Sequence, residues 1–258
     1  MNCCFITSSH SEEILRSSLL ASPELARGVE INVQRGAASA GEAYNRGIAA
    51  TKANVMIFLH QDIYLPAGWM ARAQAALEWL DRHNPNWGVA GLFGTRSDGT
   101  GEGWIYSTGL QRVLGGPFDG GREVQTLDEV LLILRRSSGL QFDEKLPGFH
   151  MYGADICLQA AERGLKCYAI GACCVHNTNG IRLLPRAYWR CYERLRRKWR
   201  KRLPVSTPCM PITKWGVPAM RYLVKRPLQL MLGRVKPGRR VANPALVWQE
   251  LTSAGKVS

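Results

Sequence analysis

The sequence predicts an α/β fold with a mostly parallel sheet, and two observations support this prediction. Short apolar runs of strand length alternate with helix-like segments in the first half of the chain. The run at residues 55–59 is continuously apolar, as expected for a parallel strand that is covered on both faces. With 258 residues and 46% hydrophobic content, the chain is long enough for one sizeable domain, alone or with a small appendage.

Each predicted element has its own signal. Residues 29–33 alternate between apolar and polar positions, as a half-buried strand does. Ser39, with Glu42 three residues later, has the pattern of a capping box and predicts a helix start. Pro66 predicts another helix start, and Gly164 predicts a helix end. The predicted strands are residues 3–7, 29–33, 55–59, 87–93, 130–134 and 167–170; the predicted helices are residues 11–20, 40–52, 66–82 and 154–163; residues 94–125 are predicted to be loops with one short strand.

Charge is distributed unevenly along the chain. The net charge is +14, but residues 1–181 carry about −3 and residues 182–258 about +17. The predicted organisation is therefore a nearly neutral α/β body, residues 1–181, followed by a basic, Pro-interrupted helical appendage, residues 182–258. Such asymmetry favours an anionic partner, either a lipid headgroup layer or a nucleic acid.

The basic region contains one strongly patterned segment, residues 182–202. Apolar and aromatic side chains recur there at helical spacing, at Tyr188, Tyr192, Leu195 and Trp199, and cations occupy the other faces. An interfacial helix on an anionic membrane and a helix packed against the body both produce this pattern, so both interpretations stay open. Residues 219–233 are a candidate for a second surface-lying segment.

The sequence also contains signals of compartment. No secretory signal or membrane-spanning run is recognisable, which predicts a cytoplasmic protein. Because of the basic region, peripheral attachment to the inner face of the membrane stays open as an alternative. The eight cysteines include no C-x-x-C pair, so buried free thiols are expected rather than a zinc or disulfide framework.

Polar residues follow two of the predicted parallel strands. Ser8 comes after the first strand, and His60, Gln61 and Asp62 come directly after residues 55–59. Ligands of α/β sheets bind at the carboxyl ends of the strands. A carboxylate there can hold a divalent cation against a diphosphate, although Asp is also common in turns and helix caps. On position alone, the two interpretations of Asp62 are equally good.

Three further segments contain candidate site residues. In the capped helix, Gly41 permits close approach and Asn45 offers a donor and an acceptor to a base or ribose, although an ordinary capped helix looks the same. Asp155, near the start of a later helix, is either a cap or a general base that takes a proton from a hydroxyl group. His176 follows the last strand and is either a metal ligand or a structural histidine.

The order of these motifs resembles family 2-type glycosyltransferases of the GT-A fold, and more narrowly a subgroup related to a streptomycin-biosynthesis protein. The resemblance covers roughly residues 1–180 and implies a Rossmann-like nucleotide-binding half, an acceptor-binding half and a metal-binding D-x-D motif. The motifs that carry it are Asn45-Arg46-Gly47, His60-Gln61-Asp62, Phe142-Asp143-Glu144, residues 150–158, Gly164 and His176-Asn177.

The resemblance implies roles for the candidate residues. Asp62 matches the last acid of D-x-D, His60 stands in place of the first, and His176 resembles a histidine that completes the metal site in some relatives. The implied cofactor is Mn²⁺ or Mg²⁺. Gly153 takes the usual position of the base, which leaves Asp155 as the preferred base and His150 as its substitute. Nucleotide-sugar contacts are assigned to Ser8, Gly41, Asn45, Gln61, Asp62 and Asp128, although a simple strand-edge role is as good for Asp128.

Two functions follow from these features. The first is an inverting glycosyltransferase that moves a sugar from a nucleotide diphosphosugar to a hydroxyl acceptor, such as a cell-surface glycan or a lipid-linked molecule. The alternative is an inactive protein of the same fold, or one that binds RNA or another anionic surface through its basic region. The missing first acid and Gly153 favour the alternative. No recognised nucleic-acid module is present and the body is mildly acidic, so nucleic acid is not the expected partner.

Overall fold

A computed structural model describes residues 1–257, which contain thirteen β-strands and seven α-helices. The strands are β1 (Cys3–Ser9), β2 (Glu30–Arg35), β3 (Val55–His60), β4 (Ile63–Tyr64), β5 (Trp87–Gly91), β6 (Phe93–Thr95), β7 (Gly101–Ser107), β8 (Arg112–Gly115), β9 (Gly121–Val124), β10 (Thr126–Leu127), β11 (Leu131–Arg135), β12 (Lys166–Ile170) and β13 (Val175–His176). The helices are α1 (Glu12–Ser17), α2 (Ala40–Ala50), α3 (Trp69–His83), α4 (Tyr152–Glu162), α5 (Arg186–Lys198), α6 (Val217–Met231) and α7 (Pro244–Ser253).

The central sheet has the strand order β2-β1-β3-β11-β5-β12-β9. β1 runs parallel to β2 and β3, and β12 runs parallel to β5, whereas β11 and β9 run antiparallel to their neighbours. The α/β class with a mostly parallel sheet is therefore confirmed, since five of the seven strands of this sheet run in the same direction and β11 and β9 run against them. The chain enters β11 without the crossover helix that parallel pairing needs, and antiparallel pairing has no such requirement.

A second sheet has the order β10-β6-β7-β13-β4, and β8 pairs with β7. Residues 94–125 contain β7, β8 and β9, which is more strand than the single short one predicted. Glycines hide these strands in the sequence, because they replace the apolar side chains that would show alternation. They also let the backbones approach closely: a Cβ atom on Gly115 would lie 1.8 Å from the carbonyl oxygen of Gly103.

The predicted cap is present at the start of α2, with the Glu42 side chain bonded to the residue before Ser39 instead of to Ser39 itself. The Ser39 side chain accepts the N–H of Glu42 at 3.2 Å, and the Glu42 carboxylate accepts the N–H of Ala38 at 2.7 Å. Helix α3 begins at Trp69, three residues after the Pro66 that was predicted to open it. The elements that lead into the site are otherwise close to their predicted positions.

The apolar stripe of α5 lies inside the protein. Tyr188, Tyr192, Leu195 and Trp199 are at most 4% exposed, and they belong to the same hydrophobic cluster as the core side of α4. The apolar face of residues 182–202 is therefore not available to a membrane, and α5 is part of the body's core rather than of a separate appendage. Each helix within residues 1–257 is too short or too polar to cross a bilayer. The eight cysteines are free thiols, and all except Cys209 are buried or half-buried.

Candidate active site

Three side chains with metal-ligating atoms meet at the carboxyl end of β3. His60 is the last residue of β3, Asp62 follows it, and His176 ends β13. Their ligand atoms all lie within 4.8 Å of one another. The antiparallel pairing of β4 with β13 brings His176 beside Asp62, and the N–H of Asn177 donates to the carbonyl oxygen of Asp62 at 2.8 Å.

Asp62 is 8% exposed, and nitrogen atoms surround its carboxylate. Its Oδ1 lies 3.4 Å from His176 Nε2 and 3.9 Å from His60 Nδ1, while its Oδ2 accepts from Arg240 at 3.0 Å. Burial raises the pKa of Asp62, but the two histidines and Arg240 outweigh it and hold that pKa well below its usual range. Burial lowers the pKa of His176, but Asp62 outweighs it and raises that pKa, whereas burial prevails at His60 and lowers its pKa.

Tyr152 fixes the ring of His60. The Tyr152 hydroxyl donates to the carbonyl oxygen of Glu129 at 3.0 Å, so it accepts from His60 Nε2, which lies 2.9 Å away. With the proton on Nε2, the Nδ1 atom that faces Asp62 carries a free lone pair. Metal-binding histidines are usually oriented by an outer contact of this kind.

The residues present fit a divalent metal ion. Two imidazoles and one carboxylate are arranged around a common point, and the tautomer of His60 directs a lone pair toward it. Imidazole ligands suit a transition metal better than Mg²⁺, which prefers oxygen ligands. With His60 in place of the first acid, the cluster still has three side chains that can ligate a metal.

Arg240 reaches this site from the basic tail and was missed by sequence reasoning. Besides its contact with Asp62, its Nε donates to the carbonyl oxygen of Asn177 at 2.8 Å. Residues 238–241 lie along residues 177–180, with backbone N–H groups of Arg240 and Val241 donating to the Asn179 and Asn177 side chains at 2.9 Å each. Arg240 is 178 residues from Asp62 and is one of many cations, so no local signal marks it.

A cavity of about 440 Å³ adjoins the cluster and is lined by His176, one of its three ligand side chains. Asp128 also lines it, as do Tyr222 and Arg226 of α6. One carboxylate oxygen of Asp128 accepts the N–H of Val130 at 3.0 Å. The structure thus places Asp128, a predicted sugar-contacting residue, beside the cluster of His60, Asp62 and His176.

Ser8 and Gln61 lie next to the cluster, but the Gln61 amide is used within the protein. Ser8 pairs with His60 across the β1–β3 register. Gln61 Oε1 accepts from the Ser9 hydroxyl at 2.8 Å and from the N–H groups of His10 and Ser11 at 3.2 Å each. These contacts hold the β1–α1 connection against β3.

Gly41 and Asn45 pack against the loop at residues 142–144 instead of lining the cavity. A Cβ atom on Gly41 would lie 2.7 Å from the carbonyl oxygen of Asp143, so this glycine permits close packing of that loop. The Asn45 amide donates to the carbonyl oxygen of Phe142 and accepts its N–H, at 2.9 and 3.0 Å. At the start of α2, the backbone N–H of Ala40 donates to the carbonyl oxygen of Gly148, so the N–H of Ala40 is not open to a ligand.

Asp155 joins α4 to α5. Its side chain is 1% exposed and accepts from Lys198 Nζ, Trp199 Nε1 and Gln159 Nε2, with two of these contacts at 2.8 Å and the Lys198–Oδ2 contact at 2.9 Å. Lys198 also pairs with Asp143. A carboxylate with three fixed donors and no exposed surface is not placed to accept a proton from a substrate.

Glu129 occupies the space beside Gly153. A Cβ atom on Gly153 would lie 3.3 Å from Glu129 Cγ, so the Glu129 side chain fills the region that a longer residue at position 153 would take. Burial raises the pKa of Glu129 to about 8, and the charge of Asp128 adds to this effect. Hydrogen bonds from the backbone N–H groups of Met151 and Gly153 lower this pKa in part. Sequence reasoning missed Glu129, although a glycine at the usual base position leaves room for a side chain from another segment.

His150, the substitute base in the sequence prediction, is half-buried at the end of the loop before α4. Its ring packs edge-to-face with Tyr188, with 5.8 Å between the centroids. Burial lowers its pKa. The structure places it against α5.

Comparison with known proteins identifies the family. Residues 4–184 match the family described as "Glycosyltransferase like family". The chain belongs to this family. The match covers more than half of the chain and includes the three ligand side chains, Glu129 and Asp155. The narrower subgroup related to streptomycin biosynthesis is not confirmed.

Two relatives of this glycosyltransferase-like chain extend the comparison. The protein called "ATP synthase subunits region ORF 6" of Fuscovulum blasticum is 32% identical over 130 residues, which is 46% of this chain and 49% of that protein, so the match spans about half of that relative. The crystal structure of S. aureus TarS 1-349 in complex with UDP-GlcNAc is 14% identical, with a TM-score of 0.51 over 80% of this chain and 67% of TarS. A second TarS 1-349 structure gives 13% identity, a TM-score of 0.50, and 80% and 66% coverage. The likeness to TarS supports the GT-A fold.

Proposed function

We propose that this protein transfers a sugar from a nucleoside diphosphosugar to a hydroxyl group of an acceptor. The observation that carries the proposal is the cluster of His60, Asp62 and His176 at the carboxyl end of β3, beside a cavity, in a member of the glycosyltransferase-like family. TarS, which shares the fold, was crystallised with UDP-GlcNAc. The donor proposed here is of the same chemical class.

The proposed donor site has two sources of positive charge. His60, Asp62 and His176 would hold a divalent metal, Mn²⁺ being our first choice, which would neutralise charge on the departing diphosphate. Asp62 Oδ1 faces the two imidazoles and Oδ2 faces Arg240, so the guanidinium and a metal do not compete for the same oxygen. Arg240 would contact non-bridging diphosphate oxygens from the tail side.

Glu129 is the proposed proton acceptor. Its carboxylate would take the proton of the acceptor hydroxyl as that oxygen attacks the anomeric carbon. The bond from this carbon to the diphosphate breaks, and the nucleoside diphosphate leaves with the electron pair. Attack from the face opposite the leaving group inverts the anomeric centre. Asp128, at the cavity wall, would hold sugar hydroxyl groups.

The acceptor is proposed to be a cell-surface glycan or a lipid-linked molecule, handled at the cytoplasmic face of a membrane. The support for this part is the charge of the C-terminal region. Between Glu193 and Glu250 the chain has fifteen Lys and Arg residues and no Asp or Glu. An acceptor held at an anionic surface suits such a region.

Thermal stabilisation by nucleotides tests the proposal. UDP, GDP, dTDP and CMP are each added with and without Mn²⁺ to the wild type and to Asp62→Ala. A ligand present at 100 times its dissociation constant stabilises the folded state by roughly 2.7 kcal/mol. We expect one nucleotide to raise the melting temperature only with Mn²⁺, and Asp62→Ala to abolish this effect.

Asp119→Ala is the matched control, since Asp119 is an exposed aspartate outside the cluster. It should respond to nucleotide and metal as the wild type does. Absence of any nucleotide effect in the wild type would contradict the donor site. A nucleotide effect that survives in Asp62→Ala would contradict its placement.

A further inference from the structure

Helix α6 carries an apolar stripe on the outside of the protein. Five large apolar side chains recur along it at three- and four-residue spacing, which places them on one face of a helix. Each is between 39% and 84% exposed. With Trp215, which is 76% exposed just before the helix, they form what we call the outer α6 face. The helical members are Val217, Met220, Val224, Leu228 and Met231.

The opposite side of α6 attaches the helix to the body. Ala219 is buried, the Tyr222 hydroxyl accepts the N–H of Leu184 at 3.0 Å, and Arg226 donates to the carbonyl oxygens of residues 181 and 182. The polar contacts are therefore on the inner side and the apolar residues on the outer side, which inverts the usual arrangement of a surface helix. A contiguous exposed apolar set of this kind marks an interaction site.

The residues around the outer α6 face are basic, and this charge favours an anionic partner. Lys214, Arg221, Lys225 and Arg234 are exposed beside it or within the same helix segment. No acidic residue lies between positions 194 and 249. A second copy of the chain that docks through the same face would bring like charges together, whereas anionic lipid headgroups complement them.

We propose that the outer α6 face binds an anionic lipid bilayer. The apolar side chains would enter the boundary between headgroups and acyl chains, and the neighbouring cations would contact lipid phosphates. The binding itself rests on α6 alone. Its link to sugar transfer rests on the proposed function: Tyr222 and Arg226 of α6 line the same cavity as His176 and Asp128, so docking would hold that cavity near a lipid-linked acceptor.

Co-sedimentation of the full chain with vesicles tests the proposal. Vesicles of phosphatidylcholine alone are compared with vesicles that also contain phosphatidylglycerol. Leu228→Glu is compared with Leu246→Glu, because these leucines are 53% and 54% exposed on different helices, α6 and α7. We expect the wild type to bind the anionic vesicles at least about tenfold more tightly than the neutral ones, Leu228→Glu to lose about tenfold, and Leu246→Glu to stay within about twofold.

Absence of wild-type binding to the anionic vesicles would overturn the proposal, and so would equal losses in the two leucine variants. A dimer that Leu228→Glu dissociates in the absence of lipid, without vesicle binding, would assign the face to a second copy instead. Melting curves of both variants check that they are folded. Asp62→Ala separates this proposal from the proposed transfer activity, since it should keep vesicle binding while losing the nucleotide effect.

Discussion

Asp62 and Asp155 are both buried aspartates in motifs that the sequence marks as site residues, yet their surroundings differ. Asp62 is faced by two imidazoles and a guanidinium, and one of these imidazoles, that of His176, lines a cavity. Asp155 is held by a lysine, an indole and an amide between two packed helices. Asp62 is suited to binding, because its histidine neighbours can themselves ligate a metal beside an open space. Asp155 is suited to joining two helices, because fixed N–H donors occupy its oxygens.

The largest expected effect is on the rate of sugar transfer, and it tests whether Glu129 or Asp155 is the base. Glu129→Gln should lower the rate of sugar transfer by roughly 10²–10⁴-fold, which is the usual contribution of a general base. Because a base acts in its deprotonated form and the pKa of Glu129 is raised to about 8, the wild-type rate should rise with pH up to about that value. Rates across pH, measured with the donor that the nucleotide screen identifies, check this.

Two outcomes would contradict the assignment of Glu129. One is a Glu129→Gln variant that keeps the wild-type rate and its pH profile. The other is a folded Asp155→Asn variant that loses as much rate as Glu129→Gln does. The Asn variant keeps the size of the side chain, so it isolates the charge of Asp155.

The next effect is on stability, and it should be larger at Asp155 than at Asp62. Asp155→Ala leaves the buried indole N–H of Trp199 without its acceptor and removes a partner of Lys198, so unfolding should become easier by about 3 kcal/mol. Urea unfolding measures this change. Asp62→Ala should cost less, because its partners His176 and Arg240 keep some contact with water. Equal losses in the two variants would remove the distinction between them.

A smaller effect concerns the orientation of His60. Tyr152→Phe removes the acceptor of the Nε2 proton, so affinity for Mn²⁺ should fall by about tenfold, the lower end of the range for outer contacts of metal ligands. Calorimetric titration with Mn²⁺ measures it. Tyr44→Phe is the matched control, since the Tyr44 hydroxyl lies 3.3 Å from the Tyr152 hydroxyl, whereas the His60 ring is bonded by Tyr152. If both variants bind Mn²⁺ equally well, Tyr152 does not set the tautomer.

The sequence predicted the elements around the site because their signals are local. The apolar run before His60 and the capping box at Ser39 each describe a few neighbouring residues, and the structure has the predicted elements there. The sequence also identified His60, Asp62 and His176 as candidates, because each follows a predicted strand. The Gly-rich strands of residues 94–125 lack apolar alternation, and for that reason they were not recognised.

What could not be predicted depends on tertiary contacts. The spacing of Tyr188 and Trp199 fits a buried stripe and a lipid-facing stripe equally well, and only the packing against α4 decides between them. Two of the three partners of Asp155, Lys198 and Trp199, lie more than forty residues away, so its motif alone could not show that its oxygens are occupied. Arg240 has no pattern that distinguishes it from the other cations of the tail.

The position of Arg240 in the chain also sets an order of events during synthesis. The three metal-ligating side chains and Glu129 are made before residue 177, and the strands that hold them can pair while the ribosome is still adding the basic helices. The guanidinium that faces Asp62 is made only after helices α5 and α6. A nascent chain to which residue 240 has not yet been added therefore has the three ligand side chains without the cation that faces Asp62.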